Sequence, residues 1–495
     1  MRSVIERSPA RAAAGAAVLV EADQARTPDI LDLYRAVTSS IADLGRRGRS
    51  DVVAELVLIG VYFVLRTVDA NDLALSRWLI VASAAAILSP TTGLVVLAAI
   101  APFNEGLEIT RDVGSKTALA IVLLGAVGVR VLIDRGARFR PTVPVLLAAA
   151  LLVASGLSLL RTEDRWGPEF AQEAAQFWLN AIGTMLIVFL VAVWVARRGI
   201  VRPLVVTIVA TTIAGLVSLA DFGIDDAIRS GPLGWAVAGA VVPGRLTGVI
   251  RSPTSTAALV MLPVALFIAT AVLASDRRLR IGAAVAAVPL MAAAYLTYNR
   301  SVFLAVFALA VVIGWRIRRA LGIGILVIEV ALGGVLFPLY LALRGSAVGS
   351  GSVALPGQLL IPSDSQRITA WSTTWKMFLD QPMLGQGYRS YSRLSVQFGD
   401  PILNAPHNEW LRFLAEGGIV TGALAIAFAV ATGLVLLRRR GWLETGLFGA
   451  FVSLCVAASF NNPFLFSQVT IPAFVLAGTG VALASRPVPD STAND

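Results

Sequence analysis

A single histidine is the most direct candidate for proton chemistry in this sequence. The chain of 495 residues contains one histidine, His407, in the segment NAPHNEW at positions 404–410. Imidazole is the side chain best suited to take up or release a proton near neutral pH. Asn408, Glu409 and Glu416 lie close by in the sequence as supporting residues, and Glu409 is a candidate to orient the imidazole. The alternative interpretation is an ordinary interfacial histidine.

Arginines are the candidates for binding an anion. Arg300 interrupts two apolar segments in the tripeptide NRS, and Arg367 opens an amphipathic segment. Arg245 is a third candidate in a polar stretch between apolar segments. Arginine binds phosphate with two parallel hydrogen bonds, and it is costly near a bilayer unless it is paired or functional. The alternative is that these side chains only anchor the protein at the membrane interface.

Other common chemistries lack their signatures. One histidine and one cysteine, Cys455 in an apolar run, do not make a metal site of the usual ligand number. We find neither a P-loop nor a dinucleotide-binding glycine pattern. The sequence therefore predicts no cofactor and no metal.

Composition identifies the elements that must position these residues. Hydrophobic residues make up 57% of the chain and charged residues 15%, with a mean hydropathy of +0.77. Soluble proteins are about 45–50% apolar and about 25% charged. We therefore predict an all-α polytopic membrane protein with 12–14 transmembrane helices, since a span needs about 20 apolar residues. The apolar segments are 52–66, 78–90, 91–103, 116–133, 143–160, 176–196, 203–220, 254–274, 281–298, 302–315, 320–342, 417–437, 443–460 and 467–485.

Arginine clusters predict the orientation in the membrane and account for much of the net charge of +10. Counted from a cytoplasmic N-terminus, all the clusters fall on one side, which the positive-inside rule makes the cytoplasm. Both termini are then cytoplasmic, and the basic charge gives no reason to expect nucleic acid as a partner. The clusters lie at 46–49, 135–140, 197–202, 277–280, 316–319 and 438–440.

The predicted organisation has five parts. Residues 1–50 form a cytoplasmic tail that is either an amphipathic surface helix or disordered, and residues 486–495 form a second tail. Transmembrane helices occupy 51–342 and 417–485. The large external loop 343–416 carries the candidate motif. It includes an amphipathic helix from Gln366 to Leu379 and a second helix that begins near His407.

These motifs together resemble the O-antigen ligase and O-antigen polymerase superfamily of bacterial membrane glycosyltransferases. The similarity is carried by an ordered set within the external loop. Arg245 with Ser252-Pro253-Thr254 is similar to an upstream family segment that usually has asparagine at the position of Thr254, and Arg300 is similar to the arginine of a Ser-Arg-Gly segment. The loop elements are Arg367, Trp371, Trp375, then QPMLGQG at 381–387, APHNEWL at 405–411 and AEGGI at 415–419.

The resemblance implies a metal-independent, inverting glycosyltransferase of polysaccharide biosynthesis, with a C-type glycosyltransferase-like fold. The donor would be a glycan on undecaprenyl pyrophosphate, and the acceptor another glycan or glycolipid of the cell envelope. His407 would be the base that deprotonates the acceptor hydroxyl. Arg300 and Arg367, with Arg245 as a third residue, would bind the pyrophosphate. The active site would lie on the outer face of the cytoplasmic (inner) membrane.

Two alternatives remain open at this stage. An O-antigen polymerase, which joins lipid-linked repeat units of one kind, shares these motifs with a ligase. A transporter or flippase for lipid-linked glycan would also need many spans and arginines, although the sequence lacks the inverted repeat found in many transporters. A scaffold protein of the membrane would leave the loop motif unexplained.

Overall fold

The computed structural model describes residues 48–103, 108–110, 113–133, 141–223, 245–332, 364–401 and 405–486. Both predicted tails lie outside these ranges almost entirely, as does the first part of the external loop. Residues 51–485 form one unit, which contains everything discussed below.

Helices make up nearly all of the described structure, as predicted. The one sheet among the described residues is an antiparallel pair, β1 (Glu108–Thr110) with β2 (Val113–Gly114). The helices are α1 (Gly48–Thr67), α2 (Asp72–Leu88), α3 (Pro90–Ile100), α4 (Ser115–Ile133), α5 (Val143–Trp166), α6 (Pro168–Trp178), α7 (Thr184–Arg197), α8 (Arg202–Gly223), α9 (Pro253–Leu273), α10 (Arg277–Leu296), α11 (Arg300–Ile317), α12 (319–332), α13 (Asp364–Asp380), α14 (Tyr391–Phe398), α15 (Glu409–Leu437), α16 (Trp442–Phe460) and α17 (Ser467–Ala484).

Each predicted apolar segment coincides with a helix over its described residues, and residues 333–342 of the segment 320–342 lie outside the described ranges. In the described part of the chain, ten helices are long and apolar enough to cross a membrane. The all-α polytopic class is thereby confirmed. The two closely spaced pairs of predicted segments are pairs of separate helices: Ser89 ends α2 and caps α3, and Asn299 caps α11 after α10. A π-helical turn at Leu179–Gly183 joins α6 and α7 without a break.

Close helix packing at the centre of the bundle rests on small residues and aromatic side chains. At Gly478 of α17, a Cβ atom would lie 2.7 Å from the carbonyl oxygen of Phe189 in α7. The rings of Phe189 and Phe428 meet edge to face, with centroids 5.1 Å apart. Because α7 and α17 are apolar on all sides, they are buried among the other helices.

The predicted amphipathic helix of the external loop is confirmed as α13. The helix predicted to begin near His407 is α15, which starts at Glu409 with Asn408 as its cap and continues into the apolar segment up to Leu437. A break at Gly418, with φ of 72°, separates the loop part from the membrane part. The predicted boundary at residue 417 therefore coincides with the break between the two helical parts of α15.

The two ends of the bundle differ in the arginines that they carry. Helix α11 begins at Arg300 and ends near Arg316, whose Nη2 donates to the carbonyl of Leu436 at 3.5 Å. Arg439 donates from Nε to the carbonyl of Ala484 at 3.4 Å, at the end of α17. The basic residues at 316 and 438–440 thus share one end of the bundle, and Arg300 lies at the opposite end.

Candidate active site

One part of the candidate site lies at the helix ends, where the segments around Arg245 and Arg300 meet. Arg245 donates from Nε to the carbonyl of Thr297 at 2.8 Å. The Asn299 amide donates to the carbonyl of Thr254 at 3.4 Å. Thr254 uses its backbone here, so this contact does not depend on the side chain that replaces the usual asparagine. The segments around Arg245 and Arg300 therefore lie side by side.

The positive charges of this part act on each other. Burial lowers the pKa of Arg245, and the charge of Arg300 lowers this pKa further. Arg300 opens α11, and Asn299 caps that helix by accepting from the N–H of Ser301 at 3.2 Å. Since a helix N-terminus carries partial positive charge, it reinforces the attraction for an anion.

The external loop brings the third arginine to the same place. Arg367 of α13 donates from Nη2 to Oδ1 of Asn461 at 3.4 Å, and Asn461 donates from Nδ2 to Oγ of Ser301 at 3.1 Å. The rings of Trp371 and Phe460 are in contact, with centroids 5.9 Å apart. Helix α13 therefore packs against the end of α16. The side chain of Asn461 bridges Arg367 and Ser301, which lies at the start of α11.

His407 lies within the electrostatic range of Arg367. Burial lowers the pKa of His407 to about 4, the charge of Arg367 lowers it as well, and the charge of Asp400 opposes both. The imidazole is therefore neutral at pH 7, with one nitrogen able to accept a proton. The φ angle of His407 is 52° and that of Tyr298, next to Asn299, is 48°. Such strained backbone is found preferentially at functional sites.

The predicted supporting residues hold the loop in place. The Glu409 carboxylate accepts from the N–H of Phe464 at 3.1 Å and pairs with Arg412 Nη2 at 2.6 Å. Glu416 accepts from the N–H of Tyr391 at 3.3 Å. Both oxygens of Glu409 thus have partners other than His407, which does not support an orienting role for this carboxylate.

The remaining supporting residue, Asn408, fixes the start of the helix that follows His407. Its Oδ1 atom accepts from the N–H of Leu411 at 3.0 Å. This capping bond satisfies a backbone donor that would otherwise have no partner in the first turn. Asn408 therefore fixes the point at which α15 begins, two residues after His407.

The glycines of the loop motif are explained by close backbone approach. The N–H of Gly387 donates to the carbonyl of Glu416 at 3.0 Å, and the N–H of Ile419 donates to the carbonyl of Pro382 at 2.8 Å. Gly387 and Gly418 have φ of 93° and 72°, which side chains other than glycine rarely tolerate. A Cβ atom on Gly387 would lie 2.8 Å from Oγ1 of Thr162. These two motifs therefore bind each other and attach the loop to α5.

Three residues of this region were not found from the sequence. Asn461, Asp400 and Thr162 belong to none of the motifs that the sequence analysis identified. Among the residues that the structure describes, no group of three or more histidine, cysteine or acidic side chains has the arrangement of a metal site.

Comparison with known proteins identifies one family. Residues 285–426 match the family model described as O-antigen ligase. No curated protein matches the chain. The chain is therefore a polytopic all-α membrane protein that carries a domain of the O-antigen ligase superfamily. Arg300, Arg367 and His407 lie inside the matched region, whereas Arg245 and Asn461 lie outside it.

Proposed function

We propose that the protein is an inverting, metal-independent glycosyltransferase of the O-antigen ligase type. It transfers a glycan from undecaprenyl pyrophosphate to a hydroxyl group of an acceptor glycan or glycolipid. The observation that carries the proposal is that Asn461 joins Arg367 to the start of α11 beside Arg300, while the charge of Arg367 acts on His407 and that of Arg300 on Arg245. The assignment as a family member alone would not select these residues.

The reaction is a single displacement. The acceptor oxygen attacks the anomeric carbon while its proton passes to the imidazole of His407. The bond from the anomeric carbon to the pyrophosphate oxygen breaks, and its electron pair leaves with the pyrophosphate. Attack opposite to the leaving group inverts the anomeric configuration. Pyrophosphate is a good leaving group, so the site needs a base and positive charge, and no general acid is required.

Donor binding adjusts the basicity of His407. In the free protein its pKa of about 4 makes the imidazole neutral but weakly basic. The negative pyrophosphate, once bound to Arg367 and Arg300, stabilises the imidazolium and raises this pKa. A base is most effective when its pKa is near the ambient pH. The proton acceptor therefore becomes most effective when the donor is in place.

The arginine distribution supports an extracytoplasmic site. The clusters at the end opposite to Arg300 would be cytoplasmic by the positive-inside rule, which gives cytoplasmic termini and an outward-facing active site in the inner membrane. A lipid-linked donor places its pyrophosphate at the bilayer surface. This is where the ends of membrane-spanning helices lie, and the site is built at those ends.

The test is transfer by the purified protein in detergent, with a defined undecaprenyl-pyrophosphate glycan. We expect product only when a distinct acceptor is present, with an inverted linkage and with no loss of rate in a chelator. Products that lengthen without a distinct acceptor would assign the polymerase reaction instead. No chemical turnover, together with movement of donor across the membrane of proteoliposomes, would replace the proposal with transport.

A further inference from the structure

We infer that Asn461 is a positioning residue for the proposed transfer, because its amide joins the arginine of the external loop to the start of α11. The inference rests on the proposed function, and it concerns a residue that lies outside the region matched by the O-antigen ligase family. Asn461 directly follows the last residue of α16 and lies 94 positions after Arg367 in sequence.

Hydrogen-bond chemistry fixes the orientation of the Asn461 amide. A guanidinium group has only donors, so the atom that faces Arg367 must be the amide oxygen. The NH₂ group then faces Ser301, whose hydroxyl oxygen accepts at 3.1 Å. No other orientation satisfies both partners with an amide, and the side chain is therefore specified at both ends.

The backbone around Asn461 holds the amide firmly. Its side chain is 2% exposed, and its N–H donates to the carbonyl of Ala457 at 2.9 Å to close the last turn of α16. The preceding residue, Phe460, packs against Trp371 of α13. A buried polar side chain with both ends bonded has little freedom to move.

The consequence is a defined spacing between the arginines. Arg367 stands on a helix of the external loop, whereas Arg300 stands on a helix of the bundle, next to Ser301. A pyrophosphate held between Arg367 and Arg300 requires a fixed distance between the two guanidinium groups. A shift of about 1 Å in such a site can lower the rate about a hundredfold. Asn461 fixes this distance between two separate parts of the chain.

A neutral amide suits this position better than a carboxylate. Aspartate at residue 461 would accept from Arg367 and from the Ser301 hydroxyl, so it would keep both contacts. It would also place a negative charge beside the group that binds pyrophosphate. Asparagine holds the guanidinium without reducing the positive charge of the cluster.

The experiment compares Asn461→Ala, Asn461→Asp and Ser301→Ala in the full-length protein. Donor KM, kcat, thermal unfolding and binding of undecaprenyl pyrophosphate itself are measured for each. Asn180→Ala is the matched control, since its Oδ1 accepts a half-buried hydrogen bond from Thr117 at 2.7 Å in another part of the bundle. We expect donor KM to rise about tenfold in Asn461→Ala, the factor for loss of a hydrogen bond to a charged group. Ser301→Ala should show a smaller rise, and Asn180→Ala none.

The aspartate variant separates positioning from general stability. We expect Asn461→Asp to unfold at a higher temperature than Asn461→Ala and yet to bind undecaprenyl pyrophosphate more weakly. A purely structural role predicts recovery of both properties together, and that result would overturn the inference. Wild-type donor KM in Asn461→Ala would overturn it as well. If Asn461→Ala does not fold, Ser301→Ala supplies the same comparison.

A double-mutant cycle identifies Arg367 as the group through which Asn461 acts. In an Arg367→Met background, Asn461→Ala should change donor KM by less than about twofold, because methionine has no donor for the amide oxygen and the contact is already lost. Full additivity would contradict the inference. Should the wild-type protein transfer no glycan, the proposed function fails, and the same cycle measured by thermal unfolding still decides whether the amide holds the guanidinium.

Discussion

Two groups of charged residues are built in opposite ways: one directly follows His407 in sequence, and the other includes His407. Glu409, Arg412 and Glu416 form a buried network in which the cation has acidic neighbours on both sides. Arg245, Arg300, Arg367 and His407 form a cluster in which the charge of Arg300 acts on Arg245 and the charge of Arg367 acts on His407. The first group balances its charge and supports the loop. The second concentrates positive charge, which is useful when an anion arrives.

The largest effect is expected for the imidazole. Replacing His407 with alanine should lower kcat by about 10²–10⁴-fold, the usual contribution of a general base. The unfolding temperature should stay near that of the wild type, because His407 belongs to the cluster that binds and not to the network that supports. Transfer assays with purified protein test this. Near-normal turnover would remove His407 from the base role.

Breaking the supporting network should affect stability instead. Arg412→Ala leaves the buried Glu409 carboxylate without its partner at 2.6 Å, and such changes cost about 3–5 kcal/mol. Denaturation in detergent measures this loss. In the double variant Glu409→Gln/Arg412→Met we expect most of the stability to return, because no unpaired charge remains. If the double variant is as unstable as Arg412→Ala, the network is not what stabilises the loop.

Replacing Gly387, where the loop packs against α5, should have an intermediate effect on stability. Gly387→Ala should lower the free energy of unfolding by about 1–3 kcal/mol, because a Cβ atom meets Thr162 and the backbone has φ of 93°. Gly128→Ala is the control, since a Cβ atom there has no neighbour within 4 Å. Equal unfolding temperatures for the two variants would contradict this account of the motif.

A conservative change in this cluster of arginines should weaken donor binding without lowering stability. Arg300→Lys keeps the charge but loses the planar donor pair, so we expect donor KM to rise about tenfold or more with little change in unfolding. Arg316→Lys, at the opposite end of the bundle, is the matched control. Similar donor kinetics in both variants would mean that Arg300 does not contact the pyrophosphate.

The smallest and most specific effect concerns pH. Activity requires neutral His407, so kcat/KM should fall as the pH drops through the pKa of the free protein, which is about 4. The acid limb of kcat, which reports the donor complex, should lie at higher pH because bound pyrophosphate stabilises the imidazolium. Identical acid limbs in the two profiles would argue against a pyrophosphate close to His407.

Much of the fold could be predicted from the sequence because the bilayer imposes strict local rules. An apolar run of sufficient length forms a helix whatever its neighbours are, since its backbone has no other hydrogen-bond partner in lipid. Prediction was less exact at helix ends. The span predicted to begin at residue 78 belongs to a helix that begins at Asp72, because Asn71 caps a first turn that hydropathy does not mark.

The candidate site shows the same division. Composition and motif spacing were enough to select His407, Arg300 and Arg367, because a unique histidine and arginines beside apolar segments stand out in any context. The partner of Glu409 could not be inferred in this way. Glu409 lies two residues after His407 in sequence, but helical geometry turns its carboxylate toward Arg412, one turn ahead.

The sequence by itself determined the membrane class, the helical segments, the pattern of arginine clusters and the residue types available for chemistry, because these follow from local hydropathy and residue identity. Only the tertiary structure decided which of those residues meet. Arg367, Ser301 and Asn461 come from three distant segments, and their contact depends on how α11, α13 and α16 pack. No local pattern encodes such a contact, because it is set by the path of the whole chain.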